Sequence, residues 1–250
     1  MEETAEPGKA KKPLITPEQF LKGQGVDIRR YGLRKALLAF MSISGMADRF
    51  KGKAAPGTVF SHTREQPLIR DDGIILVGQV YGGPFCSIIL EELSVYGLRY
   101  AVGYGFSGTV DRNVTPGSIM MAESSFCSDG TSKQYTADSE VYANAHMLER
   151  LQSIIEKRGM KPEIGKVWTT DALYREFPSK VAYWKKKGAK FVNLETGPFY
   201  AVARARGIKA VYLSVVSDIV HGQEWSGWST ELEKAVEKMW DISLDMIKAL

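Results

Sequence analysis

The sequence predicts an α/β fold of three layers, α/β/α, around a central, mostly parallel but mixed sheet. Three observations predict it. Short apolar runs alternate with segments of helical periodicity along the chain. The central runs are near-continuously apolar, as strands covered on both faces are. The 250 residues suffice for one large α/β domain and are short for two.

The elements follow in order. Residues 1–14 read as a flexible tail and 15–250 as one domain. Met1 to Lys12 is polar and mixed in charge, without the apolar core of a signal peptide. Thr16-Pro17 opens a short helix to Gly23, a capping residue followed by proline at the first helical position. Lys35 to Ser44 predicts a buried strand ending at Gly45, and Gly73 to Val80 a second one. Gly82-Gly83-Pro84 breaks the chain before a helix over Phe85 to Tyr96. Arg99 to Val102 predicts a short strand entering a glycine-rich turn, and Ser118 to Ala122 another strand. Asn144 to Arg158 is an amphipathic helix stopped by Gly159. Lys166 to Thr169 and Lys190 to Leu194 predict strands, Ser179 to Lys187 and Thr196 to Arg206 helices. Ala210 to Val216 is a strand of apolar and β-branched residues. Thr230 to Leu250 closes the chain as a helix, with Leu232, Val236, Met239 and Ile242 on one face.

Composition narrows the function classes. A net charge of +4, spread along the chain, does not make a nucleic-acid surface. No run approaches the ~20 apolar residues of a membrane helix. Two cysteines, Cys86 and Cys127, in apolar or small-residue settings suit a reduced, cytoplasmic protein. Three histidines without ligand spacing predict no metal site.

In a sheet of this kind ligands bind at the carboxyl ends of strands, so the residues just beyond each strand matter most. Gly103-Tyr104-Gly105-Phe106-Ser107-Gly108 has the spacing of a dinucleotide fingerprint, but loop residues follow where a helix is required. The run therefore reads as a tight strand-to-loop turn that lets a ligand approach the backbone. Glu195 ends one strand and opens a helix. It is either a binder of vicinal hydroxyls or a first-turn acid complementing the helix dipole. Asp218, after the last strand, is either a general acid or a capping aspartate. Arg49, four residues after Gly45, is either an oxyanion ligand or a solvated surface cation.

The order and spacing of these residues carry more than each alone. Asn193-Leu194-Glu195-Thr196, Tyr200, Gly207-Ile208 and Val215-Val216-Ser217-Asp218 resemble the nucleoside phosphorylase family, which spans purine nucleoside phosphorylases, uridine phosphorylases and methylthioadenosine nucleosidases. Thr169-Thr170-Asp171-Ala172-Leu173-Tyr174-Arg175-Glu176, Gly82-Gly83-Pro84 with Glu91-Glu92-Leu93, and Ser128 to Ser132 with Tyr135 are similar to that family too. The resemblance runs from about Leu33 to the C-terminus. It implies ribose binding by Glu195 with Leu194 packed under the sugar. It implies protonation of the leaving base by Asp218, an aspartate that favours purines. It implies phosphate binding by Gly45, Arg49 and Arg64, the last lent by a neighbouring subunit. Tyr104, Gly105, Trp168 and Phe199 are candidates for contact with the base, with Phe106 and Tyr174 as further aromatics, core packing being the other role open to each aromatic.

The chain departs from the family at the glycine run. It reads Ala101-Val102-Gly103-Tyr104 where an arginine and a small hydroxyl bind phosphate, leaving Arg49, Arg64, Arg99 or Arg112 to substitute. Loss of a charged contact costs about 1.5–3 kcal/mol, one to two decades in affinity. The expected reaction is phosphorolysis of a purine nucleoside to free base and ribose 1-phosphate, with phosphate as co-substrate and no other cofactor. The alternatives are a hydrolytic nucleosidase, a uridine phosphorylase and a non-catalytic binding or storage relative. The expected partners are nucleoside and phosphate within a homo-oligomer (dimer, trimer or hexamer), without nucleic acid or membrane. His221 to Trp228, rich in glycine and tryptophan, reads either as a mobile lid over the base or as an ordinary surface loop.

Overall fold

A computed structural model describes residues 13–25, 32–44, 46–55, 63–220 and 229–250. Ten strands form one mixed sheet: β1 (Lys35–Ala39), β2 (Lys53–Ala54), β3 (Leu68–Ile69), β4 (Ile74–Val77), β5 (Tyr100–Thr109), β6 (Ile119–Phe126), β7 (Glu140–Tyr142), β8 (Glu163–Thr169), β9 (Ala189–Asn193) and β10 (Lys209–Ile219). The strand order is β10-β6-β8-β9-β5-β1-β4-β3-β2, with β7 beside β6. A further pairing of β10 with β5 closes five of these strands into a ring.

Helices cover both faces, which gives the expected three layers. On one side α3 (Gly83–Val95) and α7 (Thr196–Ala205) bury Cys86, Ile89, Leu93, Phe199 and Val202 against the sheet. On the other, α5 (Ala145–Lys157) and α8 (Thr230–Lys248) bury Met147, Leu151, Met239 and Trp240. The remaining helices are α1 (Pro17–Gly23), α2 (Ala47–Phe50), α4 (Ser132–Tyr135) and α6 (Pro178–Lys186). Local chemistry sets several boundaries. Thr16 and Gln19 form a reciprocal capping box at α1. Asn144 accepts from the Met147 amide at 3.1 Å, and Ser229 from the Leu232 amide at 3.2 Å. Tyr200 of α7 donates to the Ala122 carbonyl and accepts from the Tyr212 amide, pinning that helix to the sheet.

Three expectations need correction. The first long strand stops at Ala39, since Phe40 to Ser44 leave the sheet. The last strand runs on through Ser217 to Ile219, past a bulge between Val216 and Asp218. The glycine run is no turn: it is the middle of the ten-residue β5. A Cβ at Gly103 would lie 2.8 Å from the Tyr212 ring and 3.0 Å from that of Phe40. At Gly105 it would lie 2.9 Å from both Phe40 Cβ and Tyr212 Oη. Glycine is there because two aromatic side chains press on the strand, a packing reason that overrides its poor strand propensity.

One feature of the sheet makes a crevice. β5 is flanked on one edge by β1 as far as Tyr104 and by the antiparallel β9 from Gly108. β1 and β9 therefore diverge beside residues 105–107, where strand ends and fresh loops meet.

Candidate active site

Glu195 stands at the mouth of this crevice, where β9 gives way to α7. Its position is built locally. Asn193 Oδ1 accepts from the Glu195 and Thr196 amides at 3.3 and 3.1 Å, capping the helix start. Asn193 Nδ2 donates to Thr196 Oγ1 at 2.7 Å and to Ser107 Oγ of β5 at 3.2 Å, tying the junction to the sheet. The Glu195 carboxylate is buried and accepts two backbone N–H groups, Gly82 at 2.9 Å and Leu194 at 3.2 Å. Gly82 adopts φ +76, which a side chain would oppose, and this turn aims its amide at the carboxylate. Burial pushes the Glu195 carboxyl up to about 7, partly offset by the two backbone donors. Leu194 lines a cleft of about 540 Å³ with Gly82, Gly83, Pro84 and Asp171.

Asp218 flanks the other edge of β5, opposite Gly108. Ser217 Oγ donates to its Oδ1 at 2.5 Å. Its charge acts on a carboxyl to which the sequence alone assigns no role. Glu176, beyond the 3₁₀ turn Leu173–Arg175, is pushed up to about 7 by burial and then by the negative charge of Asp218. Glu176 therefore keeps its proton toward neutrality. The family-like segment Thr169 to Glu176 carries this residue, but nothing local ties it to Asp218, forty-two residues on.

A third carboxylate has no role assigned by the sequence either. Glu65 Oε1 accepts from Ser42 Oγ at 2.5 Å and from Gln79 Nε2 at 2.9 Å, and its Oε2 accepts the Ile43 amide at 2.9 Å. This nest lies at the ends of β1 and β4. Gln79 adopts φ +52, a strained backbone for a residue other than glycine. Five residues span the segment from Gly78, against Glu65, to Gly82, against Glu195. Tyr81, within that segment, is half exposed, and its hydroxyl is pushed up by burial and then by both Glu65 and Glu195.

The structure corrects the base-contact candidates. Tyr104 is fully buried on the α8 side of the sheet, its ring 5.5 Å from that of Trp240. Phe199 is fully buried against Phe40, ring centroids 5.8 Å apart and edge to face. Trp168 is buried, stacks on Trp184 at 6.0 Å and spends its indole N–H on Ser128 Oγ. Gly105 has its side-chain direction filled by Phe40 and Tyr212. All three aromatics belong to the core, because alternation along a strand or the inner face of a helix turned them inward. Among the phosphate candidates, Arg49 forms an ion pair with Asp241 of α8. Arg64 is exposed, with its charge acting on the Tyr81 hydroxyl. Arg99 precedes β5, at the far end of that strand from the crevice. Gly45 and the suggested lid, His221 to Trp228, lie outside the described residues.

Among the described residues no cluster of three histidine, cysteine or acidic side chains is placed to hold a metal ion. No described helix is long and apolar enough to cross a membrane. A larger cleft, about 900 Å³, lies between α1 and α3 and contains none of the three carboxylates.

Strand-end carboxylates on a sheet of this topology invite comparison with known proteins. The sequence profile of the phosphorylase superfamily matches residues 41–248. The chain belongs to this superfamily. It is 30% identical over 241 residues, 94% of each chain, to an uncharacterized protein of Acanthamoeba polyphaga mimivirus. It is 26% identical over 176 residues to a DeoD-type purine nucleoside phosphorylase of Clostridium perfringens, 69% of this chain and 74% of the relative. Among solved structures, AMP nucleosidase from Bacteroides thetaiotaomicron superposes with a TM-score of 0.76 at 17% identity, covering 94% of this chain and 98% of the other. Uridine phosphorylase from Vibrio fischeri gives 0.73 at 20% identity, covering 91% and 96%. At such identities the superpositions speak for the fold alone.

Proposed function

We propose that the protein cleaves the N-glycosidic bond of a purine nucleoside. The observation that carries this reading is the pair of carboxylate stations flanking β5: Glu195 on the β9 edge and Asp218, with Glu176, on the β10 edge. Cleavage builds positive charge on the sugar and negative charge on the departing base. A buried carboxylate stabilises the first and a retained proton the second. Glu195, whose burial is balanced only by two backbone donors, gains partners when two ribose hydroxyls donate to it. Asp218, with Glu176 beside it, delivers the proton to N7 of a purine. Leu194, in the adjoining cleft, packs under the sugar.

The test is release of free base from inosine, adenosine, guanosine and uridine, by the wild type and by Asp218→Asn. Release from the purine nucleosides, falling about 10²–10⁴-fold in the variant, is expected for loss of a general acid. Preference for uridine, or an undiminished variant, would remove the assignment of Asp218.

A further inference from the structure

The Glu65 nest has a place in the crevice that the reading above leaves unused. A backbone amide, a hydroxyl and a side-chain amide converge on one point, the donor set that commonly holds an anion. Here the chain's own carboxylate fills it. The fit is close: a Cβ at Gly78 would lie 2.2 Å from Glu65 Oε2, so only glycine lets the carboxylate lie against the end of β4. Among the described candidates for holding a second anion, one arginine is engaged and one is exposed at the surface. Arg49 is paired with Asp241, Ala101 brings no charge, and Arg64 is exposed near Tyr81. An incoming phosphate would have to displace Glu65 and would then face Glu195, whose field reaches the same tyrosine. A neutral nucleophile meets neither obstacle.

We propose, on the reading that the protein cleaves nucleosides, that the nucleophile is water and that Glu65 is its general base. Oε1 already accepts two bonds and Oε2 one, which among the described residues leaves Oε2 a lone pair with which to hold a water. The water oxygen bonds to C1′ of the ribose as the C1′–N bond breaks and its electron pair leaves on the base. The water gives one proton to Glu65 Oε2. The base receives one from Asp218 and its partner Glu176. Solvent then takes the proton from Glu65 and restores that of the acid. The products are free ribose and free base, with no other reactant consumed. Ser42, Gln79 and the Ile43 amide are positioning groups that fix the carboxylate at the crevice.

The experiment uses the full chain with inosine, adenosine, guanosine and uridine, each in oxygen-18-labelled water with and without inorganic phosphate, and mass analysis of the sugar. Expected are labelled free ribose and a rate that phosphate does not raise. Glu65→Gln should lower kcat about 10²–10⁴-fold with KM held and an unchanged melting temperature. Gly78→Ala, which pushes the carboxylate out of its nest, should lower kcat in the same direction. Formation of ribose 1-phosphate, a rate that depends on phosphate, or a Glu65→Gln variant turning over like the wild type would each overturn this proposal while leaving nucleoside cleavage standing. No base release from any nucleoside under either condition would overturn the cleavage reading and this one together.

Discussion

At Glu195, four consecutive residues do most of the building. Asn193 caps the helix that Thr196 begins, and Glu195 falls between them with one long-range partner, the Gly82 amide. At Glu65, every partner is long-range: Ser42 and Ile43 come from beyond β1 and Gln79 from beyond β4. The two carboxylates also differ in what offsets their burial. Glu195 has only backbone N–H groups and holds its proton up to about 7. Glu65 is half-buried and adds a hydroxyl and a side-chain amide to its backbone donor. A site assembled by a local cap survives in a sequence as a recognisable string. One assembled across strands does not.

The comparison can be broken at its strongest point first. Glu195→Gln keeps the shape but turns an amide N–H₂ toward a backbone N–H. The expected loss in kcat/KM is about 10²–10³, or 2.7–4 kcal/mol, with the base-release assay as the check. A loss under threefold would show that the buried carboxylate serves only the helix start.

The next effect is on pH. Glu195 must be ionised to accept ribose hydroxyls, and Glu176 with Asp218 must hold a proton to give to the base. With both Glu195 and Glu176 moved up to about 7, kcat/KM should pass through a maximum near neutrality. Glu176→Gln should change the limb that falls toward high pH and leave the rising limb in place. Folding stability should run one way only. The folded state holds protons on these two carboxyls that the unfolded chain, at its ordinary value of 4.5, has already released. Their contribution is complete below about 4.5 and is lost as pH rises to about 7. Urea midpoints measured between pH 4.5 and 8 would show this fall, and Glu195→Gln would flatten part of it.

Smaller effects test the glycine strand. Gly103→Ala should cost about 1–3 kcal/mol in chemical denaturation, because the new Cβ meets two rings that close packing holds in place. A neutral result would mean that Phe40 and Tyr212 can shift. Smallest is Tyr104→Phe. The Tyr104 hydroxyl is buried without a hydrogen-bond partner among the described residues, so its removal should leave stability unchanged or raise it by up to about 1 kcal/mol. An unchanged KM for nucleoside would accompany it. A large rise in KM would return Tyr104 to the base site.

Much of the fold was legible. The capping residues Thr16, Asn144 and Ser229, the apolar stripe of α8 and the apolar runs of β1, β4 and β10 announce themselves through local chemistry and periodicity. Glu195 and Leu194 lie just beyond a strand as the sequence puts them, whereas Asp218 falls inside the last residues of β10 rather than after it. The glycine run of β5 was misread because glycine signals a turn locally, whereas its actual cause is the girth of Phe40 and Tyr212, sixty or more residues away at the nearest. For Trp168, Phe199 and Tyr104 the sequence leaves base contact and core packing both open, because aromatic residues near strand ends suit either role. Only the direction in which each side chain leaves its element decided for the core.

By itself, then, the sequence determined what short-range physics determines: where helices start, which stretches are buried strands, and which carboxylates stand at strand ends. The tertiary structure alone decided which carboxylates share a crevice. Glu176 reaches Asp218, and Glu65 reaches Ser42 and Gln79, through chain reversals whose geometry is set by sheet pairing. A charge acts on whatever lies within a few ångströms of it, regardless of separation along the chain, and that distance exists only once the sheet has formed.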